Sequence, residues 1–495
     1  MQAERTAIQG GWVIGWGDDC HQVFEGGTVV IEGDRILFAG FPSDPACPMA
    51  DMVIDARCKL VSPGLINLHG IANLDLQVLR SDVASSGYSR PRAYVVDPAA
   101  PHIWSDEDFR VSTEFSVATM LKAGNTSFAT VTTGATKRWE DPETEAHALA
   151  EAANRLGARA WVCHSYMESS GGTLPDGTRE VIWDRNKAQG GLDRAIGLIK
   201  YLRDRGDGRV TGFLFPYQTA ACSADLLQET MRQSKLLGGI HVRSHFAQYI
   251  GEYRDCKAKY GFTPVQHMAD IGFVGPQVCL THAIYTAGHS ATGDPPGEDL
   301  QILAATGTSV AHCPVVFARG GVALESFSRY FRAGINMGLG CDTFPPDLVE
   351  EMRIGALINK VVDRGRGAGT VREFFHAATV GGARALGRSD LGRLAVGCTA
   401  DISIFHLSGL AAGPIDDPLR TFVHFGDGWD CDTVLVGGKV VVADGRVLGV
   451  DEAALAARAQ PVWDKYKAGL VAWDYLGRSA DQVFPPALPI VRRQS

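Results

Sequence analysis

The sequence predicts an α/β protein: a (β/α)8 barrel with a small composite β-sandwich formed by the N- and C-terminal segments. Three observations carry this. Between residues 61 and 388, eight apolar β-like runs alternate with amphipathic helical stretches, the pattern of a parallel barrel. Short β-rich segments recur at both ends of the chain, each too small to hold a core alone, so pairing them is the economical solution. No Gly-x-Gly-x-x-Gly follows an early strand, which removes support from a doubly wound dinucleotide-binding sheet.

In chain order, residues 1–60 supply the first part of the sandwich, with Gly10–Ile14, Gly27–Glu32 and Arg35–Ala39 as strands broken by Gly and Asp. The barrel occupies 61–388, and its strands are expected at 61–69, 125–132, 158–166, 209–215, 240–246, 278–284, 308–313 and 336–341. Helical patterns lie between them at Glu143–Leu156, Leu192–Arg203, Ala224–Leu237 and Leu324–Arg332. From Ile71 to Ser105 there is no clear helix. So long an insertion after the first barrel strand lies at the catalytic face. Residues 389–450 return to short strands, and 451–495 read as a helix from Glu452 to Tyr466 with a Pro-rich tail suited to packing or oligomer contact.

Composition excludes several classes. At 495 residues the chain is long enough for a large domain with a smaller one attached. A net charge of −9 argues against a nucleic-acid partner. No apolar run approaches the twenty or so residues that span a bilayer, and the start, Met1 to Thr6, lacks a signal region. The 11 cysteines contain no Cys-x-x-Cys pair, which suits neither a disulfide framework nor a thiolate zinc site. The expectation is a cytoplasmic homo-oligomer acting on a small molecule, with no nucleic-acid or membrane partner.

Chemistry in a barrel sits at the C-terminal strand ends. Those ends read Asn67 and His69 on the first strand, His245 on the fifth, His282 on the sixth and Asp342 on the eighth. Asn67 and His69 are two residues apart and share a strand face. Imidazole and carboxylate without thiolate suit one divalent ion with an open water position, zinc first, with cobalt, manganese or iron also admitted.

These texts carry a resemblance. Pro63-Gly64-Leu65-Ile66-Asn67-x-His69, the His245 and His282 strands, His312-Cys313-Pro314, Gly338 to Thr343, and Gly392-Arg393-Leu394 through Asp401 resemble the amidohydrolase superfamily, in order, over about residues 8 to 445. The resemblance implies a distorted barrel, a composite sandwich and a metal-activated water. Most relatives carry His-x-His on the first strand; here the position two after His69 is Ile71, and Asn67-Leu68-His69 resembles the subgroup of phenylurea hydrolases and molinate hydrolase. Deaminating relatives usually have Glu where this chain has Gln248, and an amide delivers no titratable proton.

The expected function is therefore hydrolysis at the carbonyl of a urea, carbamate, thiocarbamate or related amide. The alternative is an aminohydrolase or chlorohydrolase of an N-heterocycle such as a triazine or purine. Asn67, His69, His245 and Asp342 are the expected ligands. Asp342 would also move the proton, His282 would polarise the carbonyl or join the ligands, and Gln248 would orient the substrate. Tyr217, Gln218, His312, Phe317 and Trp104 are expected to line the pocket. His241, deeper on the fifth strand, reads as buried and structural, and Cys313 and Cys341 as packing.

Overall fold

The structure is a computed structural model that describes residues 4–75, 79, 81–83, 88–97, 100, 102–132, 137–206 and 208–491. Parts of the insertion after the first barrel strand, and the expected start of the chain at Met1 to Ala3, lie outside these residues.

All eight expected barrel strands form, and they pair in parallel in sequence order. Leu65–Ile71, Asn125–Val131, Arg159–Val162 and Val210–Gly212 make one half. Val242–Phe246, Val278–His282, Ser309–His312 and Met337–Leu339 make the other. Backbone hydrogen bonds join the halves at both seams. Leu214 donates to His241 O at 3.0 Å, and Asp342 donates to His69 O at 2.9 Å. The second seam depends on small residues in the eighth strand: a Cβ on Gly340 would lie 2.4 Å from that of His69. Glycine here permits the close approach that carries Asp342 to His69.

The ends of the chain meet in one nine-stranded sheet. Its joint is the antiparallel pairing of Met52–Pro63 with Ile402–His406. Residues from both ends, including Ile8, Val29, Val61, Ile402 and Leu435, enclose a common apolar core.

The helices follow the expected patterns with informative differences. Glu143–Leu156 forms as read, ending on Gly157 at φ 79°, a left-handed cap that glycine adopts without cost. The helix expected at Leu324–Arg332 begins only at Phe327, because Ser326 caps it and accepts from the Arg329 N–H. The C-terminal helix runs Glu452–Trp473, beyond the expected Tyr466. Its Tyr466, Leu470 and Trp473 bury against Trp104 and Phe109, and Phe484 of the tail joins the same cluster. Phe484 therefore packs on its own chain, and residues 485–491 are exposed.

Candidate metal centre

Four polar side chains converge where the first, fifth, sixth and eighth barrel strands end. His69 Nε2 lies 3.1 Å from His245 Nε2 and 3.2 Å from Asp342 Oδ1. His282 Nε2 lies 3.5 Å from Asp342 Oδ2, and one donor atom from each of the four lies within 4.8 Å of the others. Two of the donors sit on left-handed backbone, His282 at φ 78° and Asp342 at φ 49°. Such conformations cost energy in non-glycine residues and cluster at functional sites.

The electrostatics prepare the site for a cation. Burial pushes His69 and His282 well below the usual imidazole range and His245 down to about 3. All three rings are neutral at pH 7 and can offer lone pairs. Burial raises Asp342 to about 6, with His245 and Arg243 opposing the rise. Among the described residues, neither ring nitrogen of buried His282 finds a hydrogen-bond partner, which is costly unless something binds there. Three imidazoles and a carboxylate, one with an orphaned nitrogen, fit a divalent ion with nitrogen and oxygen preference.

Asn67 is a correction to the sequence reading. It is fully buried, but its Oδ1 accepts the backbone N–H of His69 at 3.1 Å and of Cys341 at 3.3 Å, while Nδ2 faces Cys341 Sγ at 3.2 Å. The amide braces the seam between the first and eighth strands, and His282 stands with the convergent donors instead. Replacing Asn67 with Ala is expected to leave zinc content near wild type. It should lower stability by about 1–3 kcal/mol, the cost of orphaning buried backbone donors. Loss of zinc at saturating concentration would return Asn67 to the ligand set.

The expected pocket residues divide. The Tyr217 ring packs edge-on to His245 with centroids 4.6 Å apart, and Phe317 packs edge-on to His282 at 4.7 Å. His312 is buried, its Nδ1 has no partner among the described residues, and it is close enough to His282 to lower its basicity. Gln248 is buried just past the fifth strand. The Gln218 amide donates to Glu252 on the helix Ile250–Tyr260. Trp104 makes its contacts in another cluster. Its indole donates to Val462 O at 3.2 Å and packs on Tyr466, so it anchors the insertion to the C-terminal helix.

Two features escaped the sequence reading. Lys137 is wholly buried, pairs with Asp141, donates to Thr132 and Ser165 at 2.6 Å, and places its ammonium 4.2 Å from the Tyr217 ring centre. Arg243 is buried beneath the cluster and donates to His69 Nδ1. Alternation on the fifth strand puts 241, 243 and 245 on one face, and that was the available signal.

A parallel barrel with these donors at its strand ends defines a hydrolase of the metal-assisted class. Residues 60–441 match the amidohydrolase family, and the chain belongs to it. It is 28% identical over 445 residues to the 5'-deoxyadenosine deaminase of Methanosarcina barkeri, covering 88% of this chain and 92% of that protein. It is 27% identical over 448 residues to the 5-methylthioadenosine/S-adenosylhomocysteine deaminase of Thermococcus onnurineus, covering 88% and 94%. Among solved structures it resembles an adenosine deaminase from Xanthomonas campestris with bound zinc, with TM-score 0.75 and 21% identity over 93% of this chain and 98% of that one. It also resembles a triazine hydrolase from Arthrobacter aurescens, with TM-score 0.73 and 23% identity over 93% and 99%. The chain is an enzyme that hydrolyses carbon–nitrogen bonds other than peptide bonds.

Proposed function

We propose that this enzyme is an aminohydrolase of an N-heterocycle, releasing an exocyclic amino group as ammonia, with 6-aminopurine nucleosides as the first substrates to test. The observation that carries this is the convergent set His69, His245, His282 and Asp342. The direction toward a heterocycle comes from the deaminase relatives, which align with 88% of the chain. A urea, carbamate or thiocarbamate, the leading expectation from sequence, has less support.

His69, His245, His282 and Asp342 would hold one divalent ion. Such an ion lowers the pKa of a bound water toward neutrality and acts as a Lewis acid. Asp342, buried and able to carry a proton, takes the one released as water adds to the ring carbon and passes it to the departing amine. The C–N bond then breaks, ammonia leaves, and the hydroxyl left on the ring carbon shifts its proton to the adjacent ring nitrogen to give the carbonyl. Tyr217 and Phe317, standing against His245 and His282, offer aromatic surface for a flat ring. Gln248 and His312 orient it by hydrogen bonds.

One observation favours a second reading. Gln248 can donate a hydrogen bond to a ring nitrogen but cannot protonate it, which suits attack on a urea or carbamate carbonyl. A panel separates the two. Ammonia release from 5'-deoxyadenosine, adenosine or an aminotriazine supports the proposal. Amine or thiol release from ureas and thiocarbamates, with no ammonia from the heterocycles, replaces it with the second reading.

A further inference from the structure

Arg243 belongs to the fifth strand, with its side chain inside the barrel, 3% exposed and flanked by the rings of Phe213 and Phe215 at 5.0 and 5.4 Å. Its guanidinium donates to His69 Nδ1. Among the described residues no carboxylate lies within 4.0 Å of it, and its Nε and Nη1 are buried without a hydrogen-bond partner. An unpaired buried cation is expensive, and a guanidinium cannot relieve the cost by losing its proton. The aromatic faces offset part of that cost. Packing alone does not call for a charge in this place.

The direction of the hydrogen bond gives it a role. A metal-ligating imidazole ordinarily donates its second N–H to a carboxylate or carbonyl, which raises its strength as a ligand. His245 follows that rule, with Nδ1 2.6 Å from the Tyr217 carbonyl oxygen. His69 reverses it. A guanidinium only donates, so Nδ1 of His69 accepts, and the neutral ring carries its own proton on Nε2, the atom aimed at the other donors. A cation bound at Nε2 needs that proton moved to Nδ1, and the Arg243 N–H directed at Nδ1 opposes the move.

We infer that Arg243 is a positioning residue that holds His69 in the tautomer with its proton on Nε2, so that the site holds its metal ion loosely. The inference rests on the proposed metal site. It makes an unusual prediction: removing a buried residue beside the ligands tightens metal binding.

The test uses the full chain stripped of metal and titrated with zinc against a chromophoric chelator. Arg243→Met, long and uncharged, is expected to bind zinc roughly 10- to 100-fold tighter than wild type, the span typical of changes to a ligand's hydrogen-bond partner. Arg243→Lys keeps the charge and should stay near wild type. Arg243→Gln, also uncharged, replaces the Met variant if that one does not fold, with the same tightening expected. Unchanged or weaker zinc binding in a folded neutral variant overturns the inference and leaves Arg243 a structural prop. Folded wild type that takes up no zinc overturns the metal site itself, a separate outcome.

Discussion

Asp342→Asn is expected to lower kcat by roughly 100- to 10,000-fold, the range for removing a positioned acid–base group. The substitution is chosen because it changes little else. Asn has the same shape and retains an oxygen that can face a metal ion. Asp342 sits at φ 49°, a left-handed conformation that Asn tolerates as readily as Asp, so the backbone carries no new strain. The amide cannot accept the proton that adding water releases. Burial favours the protonated form of the Asp342 carboxyl, and a carboxylate can take up a proton that an amide cannot. Zinc content and kcat should be measured on the same sample. Near-native turnover with zinc bound would remove Asp342 from the proton path and leave it a ligand alone.

The fold was readable because burial writes itself into apolar runs. The mostly apolar run 278–284 formed as Val278–His282, and 125–132, carried by β-branched and small residues, formed as Asn125–Val131. The donors His69, His245, His282 and Asp342 were readable for a related reason: each is polar where an apolar strand ends. What failed was partnership. Parity put Asn67 and His69 on one face, but it could not say that two backbone N–H groups at the barrel seam would claim the Asn67 oxygen. Trp104 looked like a pocket residue because its insertion is irregular, yet its partner is Val462 on a distant helix. Gln218 was lost to Glu252 in the same way. A residue's own neighbourhood in sequence shows what it can bond to, and only the fold selects which bond is made.

The opposite end of the barrel supplies the other large expected effect, and it should leave the chemistry alone. Arg159, at the start of the third strand, donates to Asp401 through Nε at 2.8 Å and Nη2 at 3.0 Å. Both side chains are almost wholly buried, and Asp401 also accepts the Gly437 N–H at 2.7 Å. The pair joins the barrel to the terminal sheet. Asp401→Ala strands a buried guanidinium and is expected to cost about 3–5 kcal/mol of unfolding free energy in a urea titration. An Arg159→Met, Asp401→Leu double variant removes both charges and should recover most of that loss, because a buried ion pair adds little over well-packed apolar groups. A single-variant cost below about 1 kcal/mol would mean that water reaches the pair and screens it. Residues at the N-terminal ends of barrel strands serve stability and those at the C-terminal ends serve chemistry. The Asp401 variant that remains folded should therefore keep kcat within about twofold of wild type, while Asp342→Asn, on a folded barrel, should not.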